Sequence, residues 1–135
     1  MGLYCKNRRI IVGNYDTFSI QVVLRGHIPT TSGKFVFTVR RVLESPKRMG
    51  KAPEVGAVVF QQILRYNDLT LIKDGDDNIL GCYFYITATK AQAAQIPQGM
   101  NAYDLAAVDT FANTEYELIS PSEFWVGEVL RYEQY

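Results

Sequence analysis

Asp16-Thr17-Phe18-Ser19-Ile20-Gln21-Val22-Val23-Leu24-Arg25 decides the fold class of this chain. Phe18, Ile20, Val22 and Leu24 fall on one side of an extended backbone, and Thr17, Ser19, Gln21 and Arg25 on the other. A two-residue period belongs to a strand with one face in a core and the other in water. Gly26-His27-Ile28-Pro29 ends it, because proline removes a ladder donor and glycine frees the backbone.

The same period recurs outward from this stretch. Over residues 34–42, Phe35, Phe37 and Val39 alternate with Val36, Thr38 and Arg40. Over residues 80–87, Cys82, Phe84 and Ile86 share a face, and over 102–108 Tyr103, Leu105 and Ala107 oppose Ala102, Asp104 and Ala106. Residues 58–66 set Val58, Phe60, Gln62 and Leu64 against Val59, Gln61, Ile63 and Arg65. Both of those faces are apolar, so the period leaves the inward side open. Short strands are expected at 9–12, before the turn pair Gly13-Asn14, and at 70–73, before Asp74-Gly75-Asp76-Asp77-Asn78. Residues 115–119 close a hairpin through a turn at 109–113. Pro121 is read as a break, with a separate last strand over 123–132 that sets Phe124, Val126 and Leu130 against Trp125, Val129 and Arg131.

The period changes once. Thr89 caps a helix of one to two turns over residues 90–95, Lys90-Ala91-Gln92-Ala93-Ala94-Gln95, and Ile96-Pro97-Gln98-Gly99 ends it. One helix cannot supply the crossovers of a parallel sheet. Many short strands separated by turns favour an antiparallel sandwich or barrel. The expectation is an all-β, immunoglobulin-like antiparallel β-sandwich of about eight strands with one short helix, a single domain over residues 1–135.

At 135 residues, with 47% hydrophobic and 21% charged residues, the chain can bury a core without disulfide or metal support. Its nine Tyr and seven Phe suit pleated, half-buried surfaces. The two cysteines, Cys5 and Cys82, read as small apolar side chains rather than as a scaffold. No apolar run reaches the roughly 18 residues of a membrane span. Residues 1–9 lack the apolar region of a signal peptide, so the protein is expected to stay where it is made. Net charge is zero, which advertises neither nucleic acid nor membrane as partner.

Charge is unevenly distributed along the chain. Residues 1–51 carry ten Lys/Arg and two Asp/Glu, a balance of +8; residues 52–135 carry four and twelve, a balance of −8. Interleaved strands would neutralise the halves within one molecule, or the halves would attract across an interface between copies. Ser45-Pro46-Lys47-Arg48-Met49-Gly50-Lys51-Ala52-Pro53 reads as an exposed loop, and Lys47, Arg48 and Lys51 make it a candidate interaction loop.

Catalytic signals are lacking. His27 is the single histidine and sits in a Gly/Pro turn without a nucleophile motif, so it reads as an exposed loop residue. Cys5, His27 and Cys82 share no metal-ligand spacing. Asp74, Asp76 and Asn78 match the first positions of a calcium loop, but Ile79 and Tyr85 stand where it needs Gly and Glu. A tight turn explains the same residues. Tyr83 and Tyr85 share a face with no basic companion, which favours core or interface packing over base stacking. Glu115 and Glu117 lie on one strand face, but paired carboxylates need a pocket to do acid–base work.

Four stretches carry a family resemblance. Val12-Gly13-Asn14-Tyr15-Asp16-Thr17-Phe18-Ser19-Ile20 and Phe35-Val36-Phe37-Thr38-Val39-Arg40 open it. The strand-to-helix stretch Ile86-Thr87-Ala88-Thr89-Lys90-Ala91-Gln92-Ala93-Ala94-Gln95-Ile96, followed by Pro97-Gln98-Gly99 and Ala102-Tyr103-Asp104-Leu105, continues it. Leu118-Ile119-Ser120-Pro121-Ser122-Glu123-Phe124-Trp125-Val126 closes it. Together they resemble the N-terminal domains of phage baseplate upper proteins and related tail modules. That resemblance implies an immunoglobulin-like adaptor of the virion tail or baseplate, made in the bacterial cytoplasm. It further implies docking to other tail subunits, self-association into an oligomer, no cofactor and no catalytic residues. A free-standing β-sandwich module that binds carbohydrate or another small ligand is the competing reading, by analogy of fold.

Overall fold

The computed structural model describes residues 9–13, 17–27, 29–44 and 54–127. They form eight strands and one short helix: β1 (Ile10–Val12), β2 (Phe18–Arg25), β3 (Lys34–Glu44), β4 (Glu54–Arg65), β5 (Thr70–Lys73), β6 (Ile79–Ala88), α1 (Lys90–Ala93), β7 (Gly99–Asp109) and β8 (Thr114–Val126). A single 3-10 turn, Tyr66–Asp68, follows β4.

The strands divide into a five-stranded sheet, ordered β1-β8-β7-β3-β4, and a three-stranded sheet, ordered β2-β6-β5. The hairpins β3–β4, β5–β6 and β7–β8 each stay within a sheet, while the other connections cross between sheets. This is the immunoglobulin-like arrangement, an all-β sandwich. One pairing departs from the antiparallel expectation: β1 runs parallel to β8, with Ile10 opposite Phe124 and Val12 opposite Val126. The chain crosses to the other sheet after β1, so β1 enters the edge of the larger sheet without a hairpin partner to set an antiparallel direction.

Alternation places the core as the sequence predicts. In β2 the even-numbered residues Phe18 to Leu24 turn inward and the odd-numbered ones outward. Phe35, Phe37 and Val39 of β3, Cys82, Phe84 and Ile86 of β6, and Tyr103, Leu105 and Ala107 of β7 are buried. Phe124 and Val126 of β8 join them. Phe37 stacks on Tyr103 at 5.4 Å between ring centroids, and Phe18 meets Phe124 at 5.7 Å. Each such aromatic pair contributes about 0.5–1.5 kcal/mol beyond the area it buries.

Two β-bulges settle what periodicity leaves open or misreads. Val39 pairs with Phe60 and Arg40 with Val58, so Val59 is the extra residue. Past it the faces of β4 exchange: Phe60 and Leu64 are buried, Val59 packs on the core, and Val58 is 44% exposed. In β8 the predicted break at Pro121 does not occur. Tyr103 pairs with Ser122 and Leu105 with Ile119, so Ser120 and Pro121 together oppose Asp104 and the strand continues. A bulge is where a strand tolerates proline, because the missing donor leaves no ladder bond unmade. Positions 128–132 of the predicted last strand lie outside the described residues.

Helix α1 forms as predicted and is shorter. Thr89 caps it: its hydroxyl accepts from the Gln92 amide at 3.2 Å, and the Gln92 side chain accepts from the Thr89 amide at 2.9 Å. This reciprocal box offsets two unpaired donors of a helix too short to stand on propensity. Gly99, at φ +90°, then turns the chain into β7, and the buried Asn101 amide holds the corner by donating to the Pro97 carbonyl at 2.8 Å.

The Gln62 amide ties the two sheets together. Strand β5 covers β6 only as far as Tyr83, which leaves the edge of β6 beyond it open. Gln62, from β4 of the opposite sheet, donates to the Tyr85 carbonyl at 3.2 Å and accepts from the Thr87 amide at 3.0 Å. Its side chain thus replaces one residue of a missing strand.

Candidate interaction face and cavity

Two features carry functional potential: the outer face of the five-stranded sheet and a cavity at one end of the sandwich. The registers define the face row by row. Arg65, Lys34, Val108 and Glu115 form one row across β4, β3, β7 and β8. Ile63, Val36, Ala106 and Glu117 form the next, and Val58, Arg40, Ala102 and Glu123 a third. The β4–β3 side is basic through Arg65, Lys34 and Arg40. The β8 side is acidic through Glu115, Glu117 and Glu123. Aliphatic side chains stand among these charges: Ile63 is 43% and Val58 44% exposed on β4, and Val36, Ala106 and Val108 are half-buried on β3 and β7.

Asp104 lies on the same face. Burial raises its carboxyl above the usual range, with Arg40 pulling it down and Glu117 pushing it up. At the β1 end, Trp125 donates its indole N–H to Glu123 at 2.7 Å. The charge imbalance along the sequence thus becomes an imbalance across a sheet. Lys34 and Arg40 come from the basic half and the three glutamates from the acidic half, while Arg65 of the acidic half joins the basic side.

The cavity, about 280 Å³, opens where β3 begins and the β7–β8 hairpin turns. His27, Phe35, Leu69, Ala107 and Tyr116 line it. His27 is not the exposed loop residue expected from its Gly/Pro context. It is half-buried between Phe35 and Tyr116, at 5.5 and 5.9 Å between ring centroids, with Nδ1 3.4 Å from the Tyr116 hydroxyl. Burial lowers its pKa. Asp109 stands at the wall of the cavity but does not offer its carboxylate to it. That group accepts from Thr30 Oγ1 at 2.7 Å, Ser32 Oγ at 2.9 Å and the Ala112 amide at 3.1 Å. These donors, Thr30 foremost, hold the Asp109 carboxyl below the usual range.

The other residues singled out by sequence fall as follows. Lys47, Arg48 and Lys51 belong to the connection between β3 and β4 and lie outside the described residues, as does Cys5. Cys82 is a fully buried free thiol, pushed up to about 11 by burial. Asp74 accepts from the Asp76 and Asn78 amides at 2.8 and 2.9 Å, closing a turn as its sequence context suggests. Among the described residues, no three His, Cys, Asp or Glu side chains gather as metal ligands. Tyr83 and Tyr85 lie on the outer face of the three-stranded sheet in edge contact, Tyr85 being 50% exposed. Neither lies in the core: Tyr83 is half-buried and Tyr85 stands on the surface. Glu115 and Glu117 share the outer face with Asp104 and are exposed. No helix among the described residues is long and apolar enough to cross a membrane.

No protein-family model matches the chain, and the comparison with curated proteins gives no match.

Proposed function

We propose that this chain is a structural adaptor of a phage or prophage tail or baseplate, acting by protein–protein interaction and not by catalysis. The observation that carries the reading is the outer face of the five-stranded sheet. It presents a basic margin on β4 and β3 and an acidic margin on β8, with exposed aliphatic side chains among them, the composition by which a surface gains affinity from burial and orientation from charge. The resemblance of four sequence stretches to baseplate upper protein N-terminal domains supplies the setting: other tail subunits as partners, and the virion as the site of action. The segment carrying Lys47, Arg48 and Lys51 joins β3 to β4, the two basic-margin strands, and adds three positive charges to the sequence between them.

Immunogold labelling of induced phage particles with an antibody to this chain tests the reading. Label on tails or baseplates is expected; its absence from assembled tails overturns the proposal. The cavity favours one other reading, a module that binds a small ligand in a pocket of aromatic and aliphatic side chains. Reproducible binding on a saccharide or small-molecule array, without association with tails, would select that reading.

A further inference from the structure

We propose that a second copy of this chain covers the outer face of the five-stranded sheet, in a two-fold dimer whose axis runs parallel to the strands between β3 and β7. The inference rests on the assembly reading and names one partner and one geometry for it. Three observations converge on it.

Symmetry and charge come first. A face-to-face pair of identical sheets has two simple two-fold axes in the plane between them. An axis perpendicular to the strands stacks β4 on β4 and β8 on β8 with the row order reversed, setting Lys34 over Arg40 and Glu115 over Glu123. An axis along the strands exchanges the margins. β4 of each copy then lies over β8 of the other and β3 over β7, with rows kept in register: Arg65 meets Glu115, Ile63 meets Glu117, and Lys34 and Arg40 meet Val108 and Ala102. Like charges disfavour the first arrangement and opposite charges favour the second.

The centre of the face comes second. The axis passes between β3 and β7, over uncharged Val36, Ala106 and Val108, with Thr38 and Asp104 beside them and Lys34 and Arg40 toward the two ends of β3. Partly exposed Ile63 and Val58 flank them on β4. Side chains as short as Val36 and Ala106 at the axis permit the roughly 10 Å spacing of stacked sheets. The third observation is size. Four long neighbouring strands of 11–13 residues span a face of roughly 700 Å² at ordinary strand spacing and rise, close to the ~800 Å² per partner of a stable interface.

The test is a charge swap read by sedimentation equilibrium of the full chain. Arg65 and Glu115 are three strand spacings apart in one molecule, so these two meet only across the pair of copies. Wild type is expected to sediment as a dimer. R65E and E115K are each expected to weaken dimerisation roughly tenfold or more at low salt, two symmetric contacts being lost in each. The R65E/E115K double variant is expected to recover the wild-type constant. A strictly monomeric wild type overturns the proposal. So does a dimer indifferent to both single variants, or a double variant as weak as the sum of the singles. Mixing R65C with E115C in a Cys5→Ser background and adding a short bis-maleimide gives a second readout. Cross-links between the two variants are expected in the mixture, and cross-linking of either variant to itself contradicts the axis. A dimer that passes these tests while phage tails carry no label would sink the tail setting and leave the dimer standing.

Discussion

Replacing Gln62 with alanine tests whether one side chain holds the open edge of β6 to the opposite sheet. The substitution removes the acceptor for the Thr87 amide and the donor to the Tyr85 carbonyl, at 3.0 and 3.2 Å. Each bond contributes about 0.5–1.5 kcal/mol net, and water reaches this edge well enough to recover part of the loss, so about 1–2 kcal/mol is expected. For a domain of this size that lowers the melting temperature by roughly 4–8 °C. Gln61→Ala is the control, since Gln61 makes one bond, to Thr38 Oγ1 at 3.1 Å on the outer face, and leaves no backbone group unpaired. Thermal unfolding followed by circular dichroism measures the stability. Amide exchange by NMR measures Thr87 directly, and its exchange should accelerate more than that of its neighbours paired to β2. If Gln62→Ala melts with wild type and Thr87 exchanges at the wild-type rate, the side chain is not substituting for a strand and the reasoning fails.

Gly81→Ala is expected to destabilise the domain by about 1–3 kcal/mol, because a Cβ there overlaps the Leu24 carbonyl oxygen and forces β2 and β6 apart; a urea midpoint equal to wild type would contradict this. The Asp109 carboxyl is held low by Thr30, Ser32 and the Ala112 amide, so its contribution is fully present above the unfolded-state value near ~3.9 and is lost as pH falls through its folded value. Asp109→Asn should therefore cost stability at neutral pH and flatten the loss of stability on acidification; parallel pH–stability curves for the two proteins would refute the assignment. Neutralising the loop with R48Q and K51Q is expected to weaken association with tail subunits while leaving the melting temperature unchanged, and undiminished association measured by sedimentation removes that loop from the interface.

Most of the fold was legible because burial on one face leaves a two-residue trace in any strand long enough to show it. The inward sets of β2, β3, β6 and β7 follow from alternation alone, and the Thr89-to-Gln92 box from its own spacing. What escaped depends on contacts distant in sequence. The bulge at Val59 is invisible because Val58, Val59 and Phe60 are all apolar, and only pairing with Val39 and Arg40 shows where the faces exchange. Pro121 reads as a stop until its opposition to Asp104 places it in a bulge. His27 reads as exposed because Phe35 and Tyr116, which enclose it, lie 8 and 89 positions away. The +8/−8 imbalance was visible, but its sorting into two margins of one sheet depends on strand order. Arg65 joins the basic margin from the acidic half, which no count along the chain reveals.

Quantitative mass spectrometry of gradient-purified tails from lysates of the host that makes this chain bears most directly on its role as a tail adaptor. The account predicts the chain in the tail fraction, at a ratio to the other tail proteins that stays fixed across preparations and through salt washes. A chain that remains wholly in the soluble fraction, or whose ratio drifts toward zero as the tails are purified, would contradict it.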